Sequence, residues 1–565
     1  MGSISARRRS RRLAAAAALA AVLALWSLAW PQRAAASAEQ VSIFQDGSVL
    51  GNPYQVQELR HLGVRVIRVF IRWSSFAPDP SSRRRPRFDA ADPASYPAGV
   101  WDAYDQLDRA AADDDVGLLF TITGGAPQWA TGPGAPPVVA HSNNLYAWRP
   151  SVRQFGQFVH AVGERYGGGY RPCRLCSPLP AVRYWEIYNE ANFGEDLGPQ
   201  AIDGSRVLTA PTIYRGIVAA SWGALSATGH RHDTILLSGL AARGMDGRPR
   251  RGAPQGYPGN FGETKPLEFI RALYCVDSRY REYRGAAART RGCPATRAAA
   301  RRFRARNPGL FDASGFAIHP YPLGSDSDMP PNRTASPDPN YAALSQLPHM
   351  ATLLDRVFRL YGSRAQLPIW NTEYGYLSYP PVKGGVSPAT QALYLNWAEY
   401  LSWRNPRIRS FSQYLLTDPN PTVGVPEFGG FASGLLFFGG RPKPSYDAWR
   451  LPIFLPRTSA HAGQRLWVWG CVRPAYYAIV DTGAPQQAYI QFRASGGSAW
   501  TTLRTLTFTR SSCYFYVPVS LPSSGMVRLA YFYPAADPRL HPTILNTYID
   551  PLAPAVSRSV AVTIH

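Results

Sequence analysis

Two strings in this chain run an apolar segment directly into a glutamate: Tyr184-Trp185-Glu186-Ile187-Tyr188-Asn189-Glu190 and Leu367-Pro368-Ile369-Trp370-Asn371-Thr372-Glu373-Tyr374-Gly375. Glu190 and Glu373 lie 183 residues apart, each preceded by a polar residue and followed by loop-forming sequence. Two carboxyl groups at strand ends suit a reaction that needs an acid and a nucleophile on opposite sides of one bond, as glycosidic cleavage does. Side chains alternate along a strand, so Glu186, Tyr188 and Glu190 are expected on one face. Glu186 then lies about 13 Å below the strand end and reads as a buried structural carboxylate. Asn189, beside Glu190, can offer an amide to a sugar hydroxyl.

Such side chains need a scaffold that brings distant strand ends together. Between 42 and 449 short apolar runs alternate with amphipathic stretches, the pattern of parallel strands linked by helices. Eight strands are expected, at 41–44, 64–71, 117–123, 182–188, 234–240, 315–319, 368–372 and 408–415. Intervening helices are expected at 151–166 and 211–228, among others, with Phe155, Phe158, Val159 and Val162 at helical spacing. Eight such units predict a (β/α)8 TIM barrel, an α/β fold, whose post-strand segments form the active face. Those at 124–149, 191–210, 241–265, 320–341 and 418–434 are long and rich in Gly, Pro, Asn and aromatics. The Arg/Ala-rich stretch 279–306 precedes a strand and belongs on the opposite face. After 451 the pattern changes to alternating β-type runs such as Leu466-Trp467-Val468-Trp469 and Ala488-Tyr489-Ile490-Gln491-Phe492, which predicts a C-terminal all-β sandwich.

With these elements in place, Asn189-Glu190 closing the fourth strand and Thr372-Glu373-Tyr374-Gly375 closing the seventh resemble clan A glycoside hydrolases, the superfamily containing cellulase-like family 5 and xylosidase-like family 39. The likeness spans most of 40–450. It implies Glu190 as general acid/base and Glu373 as nucleophile of a retaining hydrolase. Gly63-Val64-Arg65-Val66-Ile67-Arg68 resembles the second strand of that superfamily, which implies that Arg68 supports the nucleophile. His319-Pro320-Tyr321 is similar to its His-x-Tyr after the sixth strand, implying Tyr321 near the nucleophile and His319 near substrate. Pro127-Gln128-Trp129-Ala130 and Ser433-Gly434-Leu435 also look familial. The eighth strand departs from the pattern. Phe411-Ser412-Gln413-Tyr414-Leu415-Leu416 has no tryptophan to lie beneath the sugar, and Tyr414 stands as its substitute. Trp73, Trp129, Trp148, Tyr374 and Tyr376 read either as sugar-stacking platforms or as packing, with Trp129 named as a substrate contact.

The rest of the chain bounds where this chemistry works. Residues 1–38 combine clustered arginines, an apolar run over 13–30 and Ala36-Ser37-Ala38, which is the layout of a secretory signal peptide. The expected division is 1–38 signal, 39–450 catalytic barrel and 451–565 β-domain, in a secreted or cell-envelope protein with no membrane span once the signal is cleaved. Six cysteines fall into local pairs, Cys173 with Cys176, Cys275 with Cys293 and Cys471 with Cys513, as disulfides of an oxidising compartment would. No second Cys-x-x-Cys or spaced His pair accompanies Cys173 and Cys176, so neither metal nor cofactor is expected. The net charge of +23 invites an anionic partner, but no nucleic-acid recognition motif accompanies it and no nucleic acid is expected. The function read from sequence is hydrolysis of O-glycosidic bonds in β-linked oligo- or polysaccharide by double displacement. Two other readings use the same barrel: a carbohydrate-binding envelope protein without turnover, and a transglycosylase using the same two glutamates.

Overall fold

The structure is a computed structural model, and it describes residues 37, 39–135, 146–202, 205–245, 258–322, 329–334, 336–421, 431–510, 512–539 and 542–565. The expected signal peptide therefore lies outside the described residues, apart from Ser37.

Eight parallel strands form the centre: β1 Val41–Gln45, β2 Val66–Arg72, β3 Gly117–Thr123, β4 Tyr184–Asn189, β5 Thr234–Ala241, β6 Gly315–His319, β7 Ile369–Asn371 and β8 Ser410–Tyr414. Each of β1 to β6 pairs with the next in chain order, and β1 pairs with β8. A parallel bridge between Ile369 and Ile408 joins β7 to the residues leading into β8, so the sheet closes into a barrel. The strands read as near-continuous apolar runs because both faces are covered, by helices outside and by side chains inside. Helices Val152–Arg165 and Ala210–Ala227 show the cause of the outer layer: Phe155, Phe158, Val159 and Val162 on the first, and Tyr214, Ile217 and Val218 on the second, recur at helical spacing and are buried. The stretch 279–306 forms short helices over Gly285–Thr290, Arg297–Arg301 and Phe303–Arg306, ahead of β6. It is held by the Cys275–Cys293 disulfide and by Arg215, which donates to the carbonyls of Ala272, Leu273 and Gly292.

A second buried cluster runs from Leu451 to Val562. It lies between a sheet of β10 Ser459–Ala460, β12 Gln486–Ala494, β13 Thr501–Phe508, β15 Gly525–Tyr531, β16 Ala555–Val556 and β17 Val560–Ile564, and a smaller sheet of β9 Ile453–Phe454, β11 Arg465–Cys471 and β14 Tyr514–Ser520. One helix, Pro474–Thr482, interrupts this β region, which sequence alternation alone did not indicate. It packs on the barrel: Tyr477 Oη donates to Val64 O at 2.7 Å, and Arg60 binds Asp481 at 2.7 Å. Nearby, buried Arg473 meets Glu399 at 2.5 Å, and Tyr514 Oη donates to the same carboxylate at 2.8 Å. These contacts meet the barrel beside the start of β2, away from the strand ends that carry Glu190 and Glu373. All three expected disulfides are present, including Cys471–Cys513 between β11 and the residue before β14.

Candidate active site

The end of β4 departs from regular alternation. Tyr188 and Glu190 adopt φ of +74° and +35°, and the β4–β5 pairing steps from Ile187↔Leu237 to Asn189↔Gly239. Tyr188 therefore turns out of the barrel, packs against Phe155 and Tyr214, and donates to Asp196 O at 3.0 Å. The expectation that Glu186, Tyr188 and Glu190 share a face is corrected here. Left-handed backbone at residues with side chains costs about 1–3 kcal/mol each, and the turn is held by bonds from Asn189 N to Thr123 Oγ1 at 3.0 Å and from Glu190 N to Gly239 O at 3.0 Å. The result is that both Asn189 and Glu190 reach the mouth of the barrel.

Arg68 on β2 ties the site together from below. It is fully buried, and its Nε donates to Glu186 Oε2 at 2.6 Å, its Nη1 to Glu373 Oε1 at 2.5 Å and to Gln45 Oε1, and its Nη2 to Asn189 Oδ1 at 3.0 Å. Burial works against this cation, and Glu186 and Glu373 outweigh that cost and hold its pKa above the ordinary value. Glu186 is a structural anchor: besides Arg68 it accepts from Thr121 Oγ1 at 2.6 Å, Gly239 N at 2.8 Å and Thr372 Oγ1 at 3.2 Å. Since Asn189 Oδ1 is taken by Arg68, its amide nitrogen is left for the cleft wall, which it lines together with Asp196.

The two strand-end glutamates have different surroundings. Glu373 receives Arg68 on one oxygen and Tyr321 Oη, at 3.2 Å, on the other. Among the described residues no arginine or lysine, and only His319, is within ion-pair distance of Glu190. Its pKa is pushed up to about 7, first by burial and then by Glu195 and Glu263, against the opposing pull of Arg68 and Arg243. His319 lies between them with Nδ1 at 2.8 Å from Glu190 Oε1 and 3.6 Å from Glu373 Oε2. Burial, with Arg68, lowers its pKa to about 4 against the pull of Glu373 and Glu186, so the imidazole is neutral near pH 7. Among the described residues its buried Nε2 has no hydrogen-bond partner. A bare acceptor there costs less than an orphaned N–H, which assigns the proton to Nδ1 and makes His319 a donor to Glu190. Oε1 is thereby occupied, and Oε2 is left to carry the acid proton. Ligand atoms of Glu190, His319 and Glu373 all lie within 4.8 Å of one another.

Two cavities meet at this pair. One, of about 430 Å³, is lined by Phe193, Arg243, Tyr321, Pro322 and Phe431; the other, of about 390 Å³, by Gln45, Phe70, Arg72, Asn189 and Asp196. Glu190, Glu195, Glu373 and Tyr414 line both. A larger cavity of about 750 Å³ lies at the seam between barrel helices and the C-terminal region, and contains none of these residues. Tyr414 thus stands at the cleft, edge-on to Phe431 at 5.1 Å. His319 is fully buried behind the carboxylates rather than on the cleft surface. Trp129 packs edge-on against Trp73 at 6.0 Å and donates to Pro78 O, and lines neither cavity, so the substrate contact expected of it is replaced by packing. Trp73, Trp148, Tyr374 and Tyr376 are buried as well. Sequence reading missed Gln45, Arg72, Glu195, Asp196, Arg243 and Phe431. Gln45 and Arg72 end β1 and β2, and the strand-end rule applied to every strand finds them. The others sit on loops, where no periodicity marks them.

No protein-family model matches the sequence, and no curated protein matches it. Among solved structures, the chain is similar to a glucosidase from Croceicoccus marinus at 11% identity, covering 87% of this chain and 95% of that one with a TM-score of 0.43. It is also similar to the endo-beta-1,4-mannanase from Thermotoga petrophila at 10% identity, covering 93% and 98% with a TM-score of 0.38. A third likeness is to the Family 1 b-glucosidase from Thermotoga maritima at 14% identity, covering 70% and 85% with a TM-score of 0.39.

Proposed function

We propose that this chain is a retaining glycoside hydrolase acting on β-linked oligo- or polysaccharide, with Glu373 as nucleophile and Glu190 as general acid/base. The observation that carries the reading is one pair of carboxyl groups in opposite electrostatic surroundings across a shared cleft. An oxygen of each lies within 4.8 Å of the other, which suits the close pairing of carboxyl groups, roughly 5–5.5 Å apart, in retaining enzymes.

Glu373 attacks the anomeric carbon while Glu190 gives the proton on Oε2 to the departing oxygen, forming a glycosyl ester and a free leaving group. Arg68 and Tyr321 orient Glu373, and Asn189 meets the sugar beside the anomeric carbon. Glu190 is by then a carboxylate, and it takes a proton from water as that water displaces Glu373. His319 steadies Glu190 in both states through Nδ1–H. Tyr414, with Tyr321 and Phe431, supplies the aromatic wall of the cleft. The chain divides in this reading into the barrel at 39–450 and the β-domain at 451–565, following an export signal at 1–38. Three disulfides support an extracellular setting, and among the described residues no helix is long and apolar enough to cross a membrane.

A panel of β-glycosides and polysaccharides, followed by labelling with the matching 2-deoxy-2-fluoroglycoside, tests the reading. Label on Glu373, with turnover that retains anomeric configuration, is expected. Turnover without label at Glu373, or inverted product, would overturn it.

A further inference from the structure

Residues 451–536 contain seven arginines, no lysine, and Asp481 as their single acidic residue. That aspartate is already bonded to Arg60 at 2.7 Å, and Arg473 is matched by Glu399 at 2.5 Å. The rest of the C-terminal region, to 565, adds only Asp537 and Asp550 as acids, and among the described residues neither forms an ion pair with an arginine. Two of them converge. Arg493 on β12 and Arg528 on β15 place their guanidinium carbons 4.9 Å and 4.0 Å from the ring centre of Trp500. They lie on the sheet face turned away from the second core, where Gln491 pairs with Arg528 and Arg493 with Met526, which makes the two arginines diagonal neighbours. Arg528 Nε donates to Gln491 Oε1 at 2.9 Å, and among the described residues neither guanidinium has a carboxylate partner. Burial, with Arg493 beside it, lowers the pKa of Arg528, the mark of a cation facing a like charge. Beside them Tyr489 and Phe532 pack edge-on at 5.9 Å, with Phe532 53% exposed.

Two like charges held together by a tryptophan cost stability unless an anion joins them. Stacking on an indole fixes a guanidinium plane and leaves its N–H fork facing outward, the geometry that takes a carboxylate through two parallel bonds. The aromatic pair alongside suits the apolar face of a sugar ring. We infer that the Arg493–Trp500–Arg528 face, with Gln491 and Phe532, is a second binding site for an acidic polysaccharide, one whose uronic carboxylates seat on the two guanidiniums. The choice of a glycan over other polyanions rests on the glycosidase reading above, since a long polymer held here stays tethered to the same molecule that carries the cleft.

Native affinity electrophoresis of the full chain in gels containing β-(1→4)-linked polyglucuronate tests this, with the fully methyl-esterified polymer as the same backbone without charge. Retardation by the acid form alone is expected, weakened about tenfold in the Arg493→Ala/Arg528→Ala double variant and only partly in the Arg493→Lys/Arg528→Lys variant, which keeps charge but loses the fork. An Arg83→Ala/Arg84→Ala variant, at an exposed pair elsewhere, is expected to bind as the wild type does and controls for net charge. Thermal unfolding of each variant checks folding. Equal retardation by both polymers, equal loss in the Arg83/Arg84 control, or tighter binding of duplex DNA or phosphatidylserine vesicles than of polyglucuronate would overturn the inference. Binding is read without turnover, so failure of the hydrolase reading would show separately, as absent cleavage of every glycoside by a protein that still binds the polyacid.

Discussion

Replacing Glu190 by glutamine removes a charge that the fold disfavours, and the size of the effect follows from the site. The pKa of Glu190 is raised from 4.5 to about 7, chiefly by burial, and its side chain is only 19% exposed. In the folded protein the carboxyl holds its proton over a range where the unfolded chain has lost it, so stability falls as pH rises from 4.5 through 7 and levels off above. Below 4.5 both states are protonated and the cost is absent. At about 1.4 kcal/mol per pH unit the full cost is about 3 kcal/mol. Glutamine pays none of it. It also keeps an oxygen for the His319 Nδ1–H bond, so any packing change it brings is the same at each pH. Urea unfolding of wild type and Glu190→Gln at pH 5 and pH 8, both above the titration of His319 near 4, isolates the electrostatic part. The variant is expected to gain about 2–3 kcal/mol relative to wild type between the two pH values. Other raised carboxyls, such as Glu58 and Asp108, both near 7, cancel in the comparison. A stability difference that stays flat with pH, or one that favours wild type at pH 8, would refute the claim that Glu190 is held protonated, and with it the assignment of Glu190 as the acid.

Other expectations follow from the same geometry. The activity on substrates with poor leaving groups is expected to fall above about pH 7, where Glu190 loses its proton, while Glu190→Gln retains the first step on activated aryl glycosides; steady-state and burst kinetics across pH check this. Glu373→Ala is expected to abolish turnover, with azide restoring a product of inverted configuration that NMR identifies. Arg68→Met leaves Glu186 buried without its cation and Glu373 with Tyr321 alone, and is expected to cost about 3–5 kcal/mol in denaturant unfolding. Gly239→Ala would drive a Cβ into His319 Nε2 and toward Glu186 Oε1 at 2.7 Å, with an expected loss of about 1–3 kcal/mol and a displaced imidazole seen as a shifted histidine resonance. At the seam, Glu399→Ala strands Arg473, itself 2% exposed, and is expected to lower the melting temperature while leaving KM on a small glycoside unchanged.

The eight barrel strands were legible because each is a short apolar run bounded by turn residues, a local signal that survives without knowledge of partners; β3 and β6 match their expected limits, and the others differ by a few residues at their ends. The cysteine pairs were legible because the bridges are local in sequence. Glu190 and Glu373 were legible as candidates because a charge directly after a buried strand has few bland explanations. What tertiary structure decided was orientation and environment. Alternation placed Tyr188 inside the barrel, and two left-handed residues, stabilised by Thr123 and Gly239 on neighbouring strands, turned it out and brought Asn189 in. Trp129 could stack on a sugar or on Trp73, and only the packing of loops against helices put it on Trp73. The arginines of 451–536 were visible as composition, but their convergence on Trp500 required the pairing of β12 with β15. Sequence thus determines which groups exist and which backbone period carries them, because those depend on near neighbours. Whether a carboxyl is an acid, a nucleophile or a strut depends on the charges and the burial that strands hundreds of residues away bring to it, as Arg68 does by direct bonds to Glu186 and Glu373, while Glu190 feels it only through space and burial dominates.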